Sequence, residues 1–371
     1  MNAAKGVSVV VPTWGRPQLV ERLLASLCDA RSAFDGSSEV VVVDSSEARE
    51  AALIRNACER FDARYLAGPV GVHQKRNAGV RAACHDLLFF IDSDCEATAG
   101  VLRTHAAIHD AGDARLAGVC GLTQLVGVPT NGWQAAETAG SFTAAFDFAR
   151  WLREVPWATC TNFSLRRDVF ERLGGFDETL PGRLYGEDVD LGLRLTGGGY
   201  TIRSAADAVV LHNRVASFNY GAALRKAMLS GRADVALGIR HPDRLALEFP
   251  RSVTFFPFIA AVCVIRAAIV RSSRPLLLSV LWLAICWILE LAGRMRRRRS
   301  GERWWTIALA QGLDWTFEAA KLFHALRRAQ WRRVYLKFVY LSEQLVAERE
   351  RRLAEAWVSV LALLAIEALW M

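Results

Sequence analysis

The chain carries two acidic clusters whose residue types and spacing could do chemistry. Asp92-Ser93-Asp94 closes the apolar run 87–91, and Gly186-Glu187-Asp188-Val189-Asp190 opens the helix-like stretch 187–195. Side chains along a strand repeat every second residue, so Asp-x-Asp places two carboxylates on the same side of the chain. Two hard oxygen ligands in a loop open to solvent suit a Mg²⁺ or Mn²⁺ that holds a diphosphate. The second cluster offers a carboxylate without an obvious metal role, which is what proton abstraction needs. A buried Glu-Asp pair also repels itself, raising the proton affinity of one member toward neutral pH. Together the clusters point to metal-assisted group transfer from a phosphorylated donor. Structural roles compete: Asp-Ser-Asp is a common turn, and acids at a helix start complement its dipole.

The elements that must position these groups alternate. Apolar, β-branched runs at 7–12, 39–44, 63–66 and 87–91 predict strands, and the spacing of 16–29, 47–61 and 74–84 predicts helices. Such alternation predicts a doubly wound parallel sheet with ligands at the carboxyl ends of its strands, where Pro12, Asp44 and Asp92 all fall. Arg76 and Asn77 lie early in a helix, where a cation and free backbone N–H groups favour phosphate. Beyond Asp110 the pattern loosens. Strands are expected at 116–126, 159–165 and 208–211, helices at 167–173, 187–195 and 220–237, and an irregular aromatic stretch at 129–155.

Composition shows where the charge lies. Of 371 residues, 52% are hydrophobic and 12 are Trp, and the net charge is +8. Residues 294–352 hold 15 basic and 6 acidic side chains, leaving the remainder near neutrality. Trp304, Trp305, Trp315 and Trp331 sit among those arginines, which reads as a membrane surface rather than a nucleic-acid partner. Ahead of them lie apolar runs at 253–270 and 276–292, followed by Arg294 and Arg296 to Arg299, as the positive-inside rule expects of a cytosolic end. Val334, Tyr335, Phe338, Leu341 and Leu345 predict an amphipathic helix from Trp331, and 353–371 is again apolar. The eight cysteines form no CxxC pair and read as reduced thiols. The start of the chain runs straight into a strand without a signal-peptide pattern, so the expected location is the cytoplasmic face of a membrane.

Val11-Pro-Thr-Trp-Gly-Arg-Pro17, Val42-Val-Asp-Ser-Ser46, Lys75-Arg-Asn-Ala-Gly79, Asp92-Ser93-Asp94, Asn162-Phe163-Ser164 and Gly186-Glu-Asp-Val-Asp190 occur in this order. Together, across residues 7–215, they resemble the family 2 inverting glycosyltransferases of the GT-A fold. The resemblance implies that Asp94 binds the metal directly and that Asp92, beside Ser93, contacts the donor's ribose or the metal. It implies that Asp188 deprotonates the acceptor hydroxyl, Glu187 orients the acceptor, and His212 is a third metal ligand. Pro12, Thr13, Arg16 and Asp44 would form the nucleotide-base pocket. Departures matter: Val43-Asp44-Ser45-Ser46 lacks the glycine of the Asp-Asp-Gly-Ser version, which leaves the base open. The absence of a QxxRW sequence favours one sugar per encounter over polymerisation.

The expected architecture is an α/β chain. A GT-A-type doubly wound mixed sheet with a Rossmann-like nucleotide-binding half occupies 1–250, a hydrophobic hairpin 251–299, and basic amphipathic plus apolar helices 300–371. The expected function is Mn²⁺- or Mg²⁺-dependent inverting transfer of one sugar from a UDP-, GDP- or dTDP-linked donor. The acceptor would be a hydroxyl of a membrane lipid or lipid-linked glycan. A polyprenyl-phosphate sugar synthase and a non-catalytic membrane scaffold are the alternatives.

Overall fold

The computed structural model describes residues 6–112, 114–140, 143–179, 186–214, 218–247, 251–298, 301–334 and 336–341. The chain divides into two compact units, Met1–Pro129 with Phe142–Ser217, and Thr130–Ser141 with Phe218–Met371. That division falls ahead of the expected boundary at 250.

In the first unit, β1 (Val7–Thr13), α1 (Pro17–Ser32), β2 (Ser38–Asp44), α2 (Ala48–Arg60), β3 (Arg64–Ala67), α3 (Val72–Ala82) and β4 (Leu87–Phe90) alternate as the sequence predicts. There follow β5 (Cys95–Ala97), α4 (Val101–Asp110) and β6 (Leu116–Val126). Beyond α5 (Asn131–Ala139), which belongs to the second unit, come α6 (Phe148–Trp151), β7 (Phe163–Arg166), α7 (Arg167–Arg172), α8 (Glu187–Gly197) and β8 (Thr201–Asn213). The eight strands form one sheet in the order β3-β2-β1-β4-β7-β6-β8-β5. Its first four are mutually parallel, and β7 runs antiparallel to both β4 and β6, so the sheet is mixed.

Burial explains the parallel half. Every residue of β1 is buried, and Val9, Val10 and Val11 lose all contact with solvent. Each such side chain contributes roughly 1.5–3 kcal/mol. Val20, Leu23, Leu24 and Leu27 put the apolar face of α1 into the same core. Pro17 opens α1 with its φ already helical, and bars Arg16 from the right-handed region. Arg16 takes a left-handed conformation, φ 58°, ψ 50°, uncommon outside glycine.

Two elements differ from the sequence-based expectation. The stretch 129–155 holds α5 and α6, and β8 extends to 13 residues where four were expected. Pairing with β6 makes polar Arg203 and Ser204 extended, and β5 pairs further along, at Val210–His212.

The second unit contains α9 (Tyr220–Arg240), β9 (Leu245–Leu247), α10 (Ser252–Val270), α11 (Arg274–Arg296), α12 (Trp304–Arg327) and β10 (Leu336–Phe338). Helices α10 and α11 are long and apolar enough to cross a membrane by length and composition. At 1.5 Å per residue they reach about 28 and 34 Å, against about 30 Å of hydrocarbon. Val262, Ile265, Ile269, Leu277, Val280 and Ile288 are exposed. Glu290 of α11 accepts from Ser252 Oγ (2.6 Å) and Trp315 Nε1 (2.7 Å), tying the start of α10 and the later part of α11 to the middle of α12.

The amphipathic helix expected from Trp331 does not form in the described part. Trp331–Val334 is a 3₁₀ turn, and β10 then pairs antiparallel with β9. Arg333, expected on the polar face, is buried and donates to Asp234 Oδ2 at 2.6 Å. That ion pair and the β9–β10 ladder override the helical periodicity. Tyr335, Leu345 and the apolar stretch 353–371 lie outside the described residues.

Candidate active site

The site is built at the carboxyl ends of the parallel strands. Thr13 and Asp44 are partners in the β1–β2 register, so their side chains emerge side by side, next to buried Pro12. Asp44 accepts from Ser46 N (2.9 Å) and Tyr65 Oη (3.1 Å), and Ser46 Oγ in turn accepts from Gly15 N (2.7 Å). Lys75 is buried and donates its ammonium to Thr13 O at 2.6 Å. Tyr65, Ser46 and Lys75 are not among the site residues the sequence names; Ser46 and Lys75 lie in its quoted motifs, and Tyr65 carries no signal.

Arg76 is the hub. Its guanidinium reaches Asp92 Oδ1 at 2.9 Å and Glu187 Oε1 at 2.8 Å, joining the two acidic clusters that lie far apart in sequence. It lies 5.6 Å from the centre of the Phe176 ring, and Phe176 packs in turn on Phe90 and Phe170. An aromatic floor therefore fixes where the cation sits. Asn77 is used differently from the expectation. Its amide donates to Phe176 O (2.8 Å) and Glu178 Oε1 (2.9 Å) and accepts from Phe176 N (3.0 Å), so it fastens this floor rather than offering itself to phosphate.

Gly186, at φ 111°, turns the chain into α8, whose first turn presents Glu187 and Asp188. The helix dipole favours charge there, but burial and the adjoining Glu187 carboxylate outweigh it and push Asp188 up to about 7. Asp188 Oδ1 accepts from Val189 N at 2.8 Å. Asp190 is structural: it pairs with Arg194 at 2.9 Å, which also donates to Leu173 O and Gly175 O.

Of the three expected metal ligands, the structure brings two together. Asp94 Oδ1 lies 3.6 Å from His212 Nε2, while Asp92 is held by Arg76 instead. Ser93 lies in the turn between them. Cys95 and His212 are register partners across β5 and β8, and ligand atoms of Asp94, Cys95 and His212 lie within 4.8 Å of one another. A carboxylate oxygen and an imidazole nitrogen beside a second carboxylate fit Mn²⁺ or Mg²⁺. The other oxygen of Asp94 receives Arg16 Nη1 at 3.2 Å.

The Asn162-Phe163-Ser164 motif holds the sheet instead of reaching the site. Asn162 donates to Leu122 O and Ala208 O, and His105 is buried between Asn162 Oδ1 (2.9 Å) and Ser164 Oγ (2.8 Å). Burial pushes that imidazole down to about 4.

Known proteins show what the chain resembles. Residues 8–174 match the family described as glycosyl transferase family 2. Over that stretch the chain is similar to the family 2 glycosyltransferases. The validoxylamine A glucosyltransferase of Streptomyces hygroscopicus subsp. jinggangensis is 31% identical over 220 residues, 52% of this chain and 52% of the relative. The pre-mycofactocin glycosyltransferase of Mycobacterium tuberculosis is 28% identical over 257 residues, 65% of this chain and 49% of the relative. The O-antigen biosynthesis protein RfbC of Myxococcus xanthus is 29% identical over 230 residues, 57% of this chain and 17% of the relative. The chain thus spans about half, or less, of the length of these curated relatives. Among solved structures, a mannosyltransferase from Pyrobaculum calidifontis in complex with GDP-Man and Mn²⁺ matches with TM-score 0.49 and 20% identity, covering 89% of this chain and 90% of its own. The match of the family 2 domain runs from β1 through α7 and ends before Glu187, so the acidic pair of α8 and His212 lie beyond it.

Proposed function

We propose that this chain is a metal-dependent inverting glycosyltransferase. It moves one sugar from a nucleotide-sugar donor to a hydroxyl of a membrane-bound, lipid-linked acceptor. The observation that carries the reading is the meeting of both acidic clusters on Arg76, with Asp94 and His212 paired alongside.

Asp44, Thr13 and Pro12 receive the base of the nucleotide, with Asp44 accepting a hydrogen bond from it. Asp94 and His212, with Asp92 near them, hold Mn²⁺ or Mg²⁺. When bound, the ion acts as a Lewis acid toward the departing diphosphate. Asp188 takes the proton from the acceptor hydroxyl, and its raised proton affinity matches that task near neutral pH. Glu187, fixed by Arg76, orients the acceptor. Attack from the face opposite the leaving group inverts the anomeric centre in a single displacement. A phosphate acceptor would need no base, so the Glu187-Asp188 pair favours a hydroxyl acceptor over a polyprenyl phosphate.

The two apolar helices, with their exposed side chains, support a membrane location for the second unit, and the arginines from 294 onward support its cytoplasmic face. The domain order proposed is the catalytic part to about 250, a hairpin, and a basic helical end.

The test is thermal stabilisation by UDP-, GDP- and dTDP-sugars with and without Mn²⁺. One donor should raise the melting temperature, and Mn²⁺ should enlarge the shift. No shift from any donor in Mn²⁺ would overturn the reading.

A further inference from the structure

Two arginines touch the acidic loop after β4, and they differ in freedom. Arg76 is buried, with its side chain 5% exposed and pinned between Asp92 and Glu187. Arg16 is 49% exposed and makes one ion pair among the described residues, 3.2 Å from Asp94 Oδ2. The other oxygen of the same carboxylate faces His212 Nε2. A cation bound at Asp94 Oδ1 and His212 would share this one carboxylate with the Arg16 guanidinium, and the two positive charges repel.

We propose that Arg16 stands in for the metal at Asp94 in the free protein and passes to the donor's diphosphate when metal and nucleotide bind. The inference rests on the metal site of the proposed function and adds the regulation of that site.

The backbone under Arg16 is fixed, which confines the exchange to the side chain. Gly15 and Arg16 both take left-handed conformations, at φ 65° and 58°. The Arg16 carbonyl accepts from Leu19 N and Val20 N, and Gly15 N is held by Ser46 Oγ, which is itself held by Asp44. The chain Asp44–Ser46–Gly15–Arg16–Asp94 thus links the base pocket to the metal ligand. A half-exposed ion pair is weakly held, so it yields readily to a divalent ion. A diphosphate offers the planar guanidinium a better, two-pronged partner than the single carboxylate oxygen it leaves. Metal and nucleotide then reinforce each other's binding by the same factor in both directions.

The test is Mn²⁺ titration followed by paramagnetic resonance of the free ion, on full-length wild type and Arg16→Gln, alone and with UDP or GDP. Arg16→Gln should raise Mn²⁺ affinity of the nucleotide-free protein by about threefold, the scale of an exposed ion pair. Its affinity for the productive nucleotide in Mn²⁺ should fall about tenfold, the scale of a charge-assisted hydrogen bond. Arg16→Lys should restore wild-type Mn²⁺ affinity, and Asp94→Asn should lose Mn²⁺ binding in either state. Unchanged or weaker Mn²⁺ binding by nucleotide-free Arg16→Gln, in a protein whose wild type binds Mn²⁺, overturns the exchange alone. Failure of wild type to bind Mn²⁺ with either nucleotide overturns the metal site and the exchange together.

Discussion

Both units bury charge, but they balance it differently. In the first, Arg76 stands against Asp92, Glu187 and the neighbouring Asp188, and Glu187 Oε2 has no hydrogen-bond partner among the described residues. In the second, opposite charges meet at close range: Arg333 with Asp234 at 2.6 Å, and Glu318 with Arg251 at 3.3 Å and Lys321 at 3.4 Å. A surplus of carboxylates is expensive, and it is tolerated where a proton or a cation is meant to arrive. These contacts bring a cation to each buried carboxylate and fix which helix faces pack, although Arg333 Nε and Nη1 also lack hydrogen-bond partners among the described residues. The first unit gathers more carboxylates than cations for chemistry, and the second sets cations against its buried carboxylates for architecture.

The largest effect should come from unbalancing the architectural pair. Arg333→Met removes the guanidinium that donates to buried Asp234, and the loss of one partner of such a pair costs about 3–5 kcal/mol. The double variant Asp234→Leu, Arg333→Met should recover most of the melting temperature, measured in detergent. A double variant as unstable as the single one would show that the pair does more than neutralise itself. In the first unit the loss should appear in turnover. Asp188→Asn should lower kcat by about a hundredfold or more with donor affinity nearly intact. A surviving kcat would hand the proton to another group. Smaller again, Asp94→Ala should erase the gain in nucleotide affinity that Mn²⁺ brings, about tenfold, by calorimetry. Equal affinity with and without this carboxylate in Mn²⁺ would remove it from the metal site.

The parallel half was legible because its strands are buried on both faces and read as apolar runs, and because Asp44 and Asp92 end them. The meeting of Asp92 with Glu187 was not legible, since nothing local says that Arg76 reaches both. β5 was invisible for a related reason: Cys95-Glu96-Ala97 has no strand periodicity and is extended only because β8 pairs with it. Asn77 misled because a helix start with a cation resembles a phosphate site whichever way the amide turns. The residues from Trp331 misled because periodicity counts Arg333 as solvent-facing, whereas a buried Asp234 captures it.

A further prediction separates two buried groups of the first unit by pH. Burial holds His105 down to about 4, so the native imidazole stays neutral where the unfolded one, at 6.5, takes up a proton. Its contribution is fully present above 6.5 and is lost as pH falls toward 4. Asp188 has the opposite sign. Pushed up to about 7 from 3.8, it takes up a proton in the native state before the unfolded state does, so it stabilises as pH falls through 7. Across pH 4–6.5 the two slopes oppose, and each is at most about 1.4 kcal/mol per pH unit. In EDTA, where no metal competes, Asp188→Asn should therefore lose stability more steeply than wild type between pH 6.5 and 4.5. The same substitution should stabilise the protein above pH 7, where wild type keeps an ionised carboxylate buried beside Glu187. Parallel stability profiles for the two proteins would place the unusual proton affinity elsewhere than on Asp188.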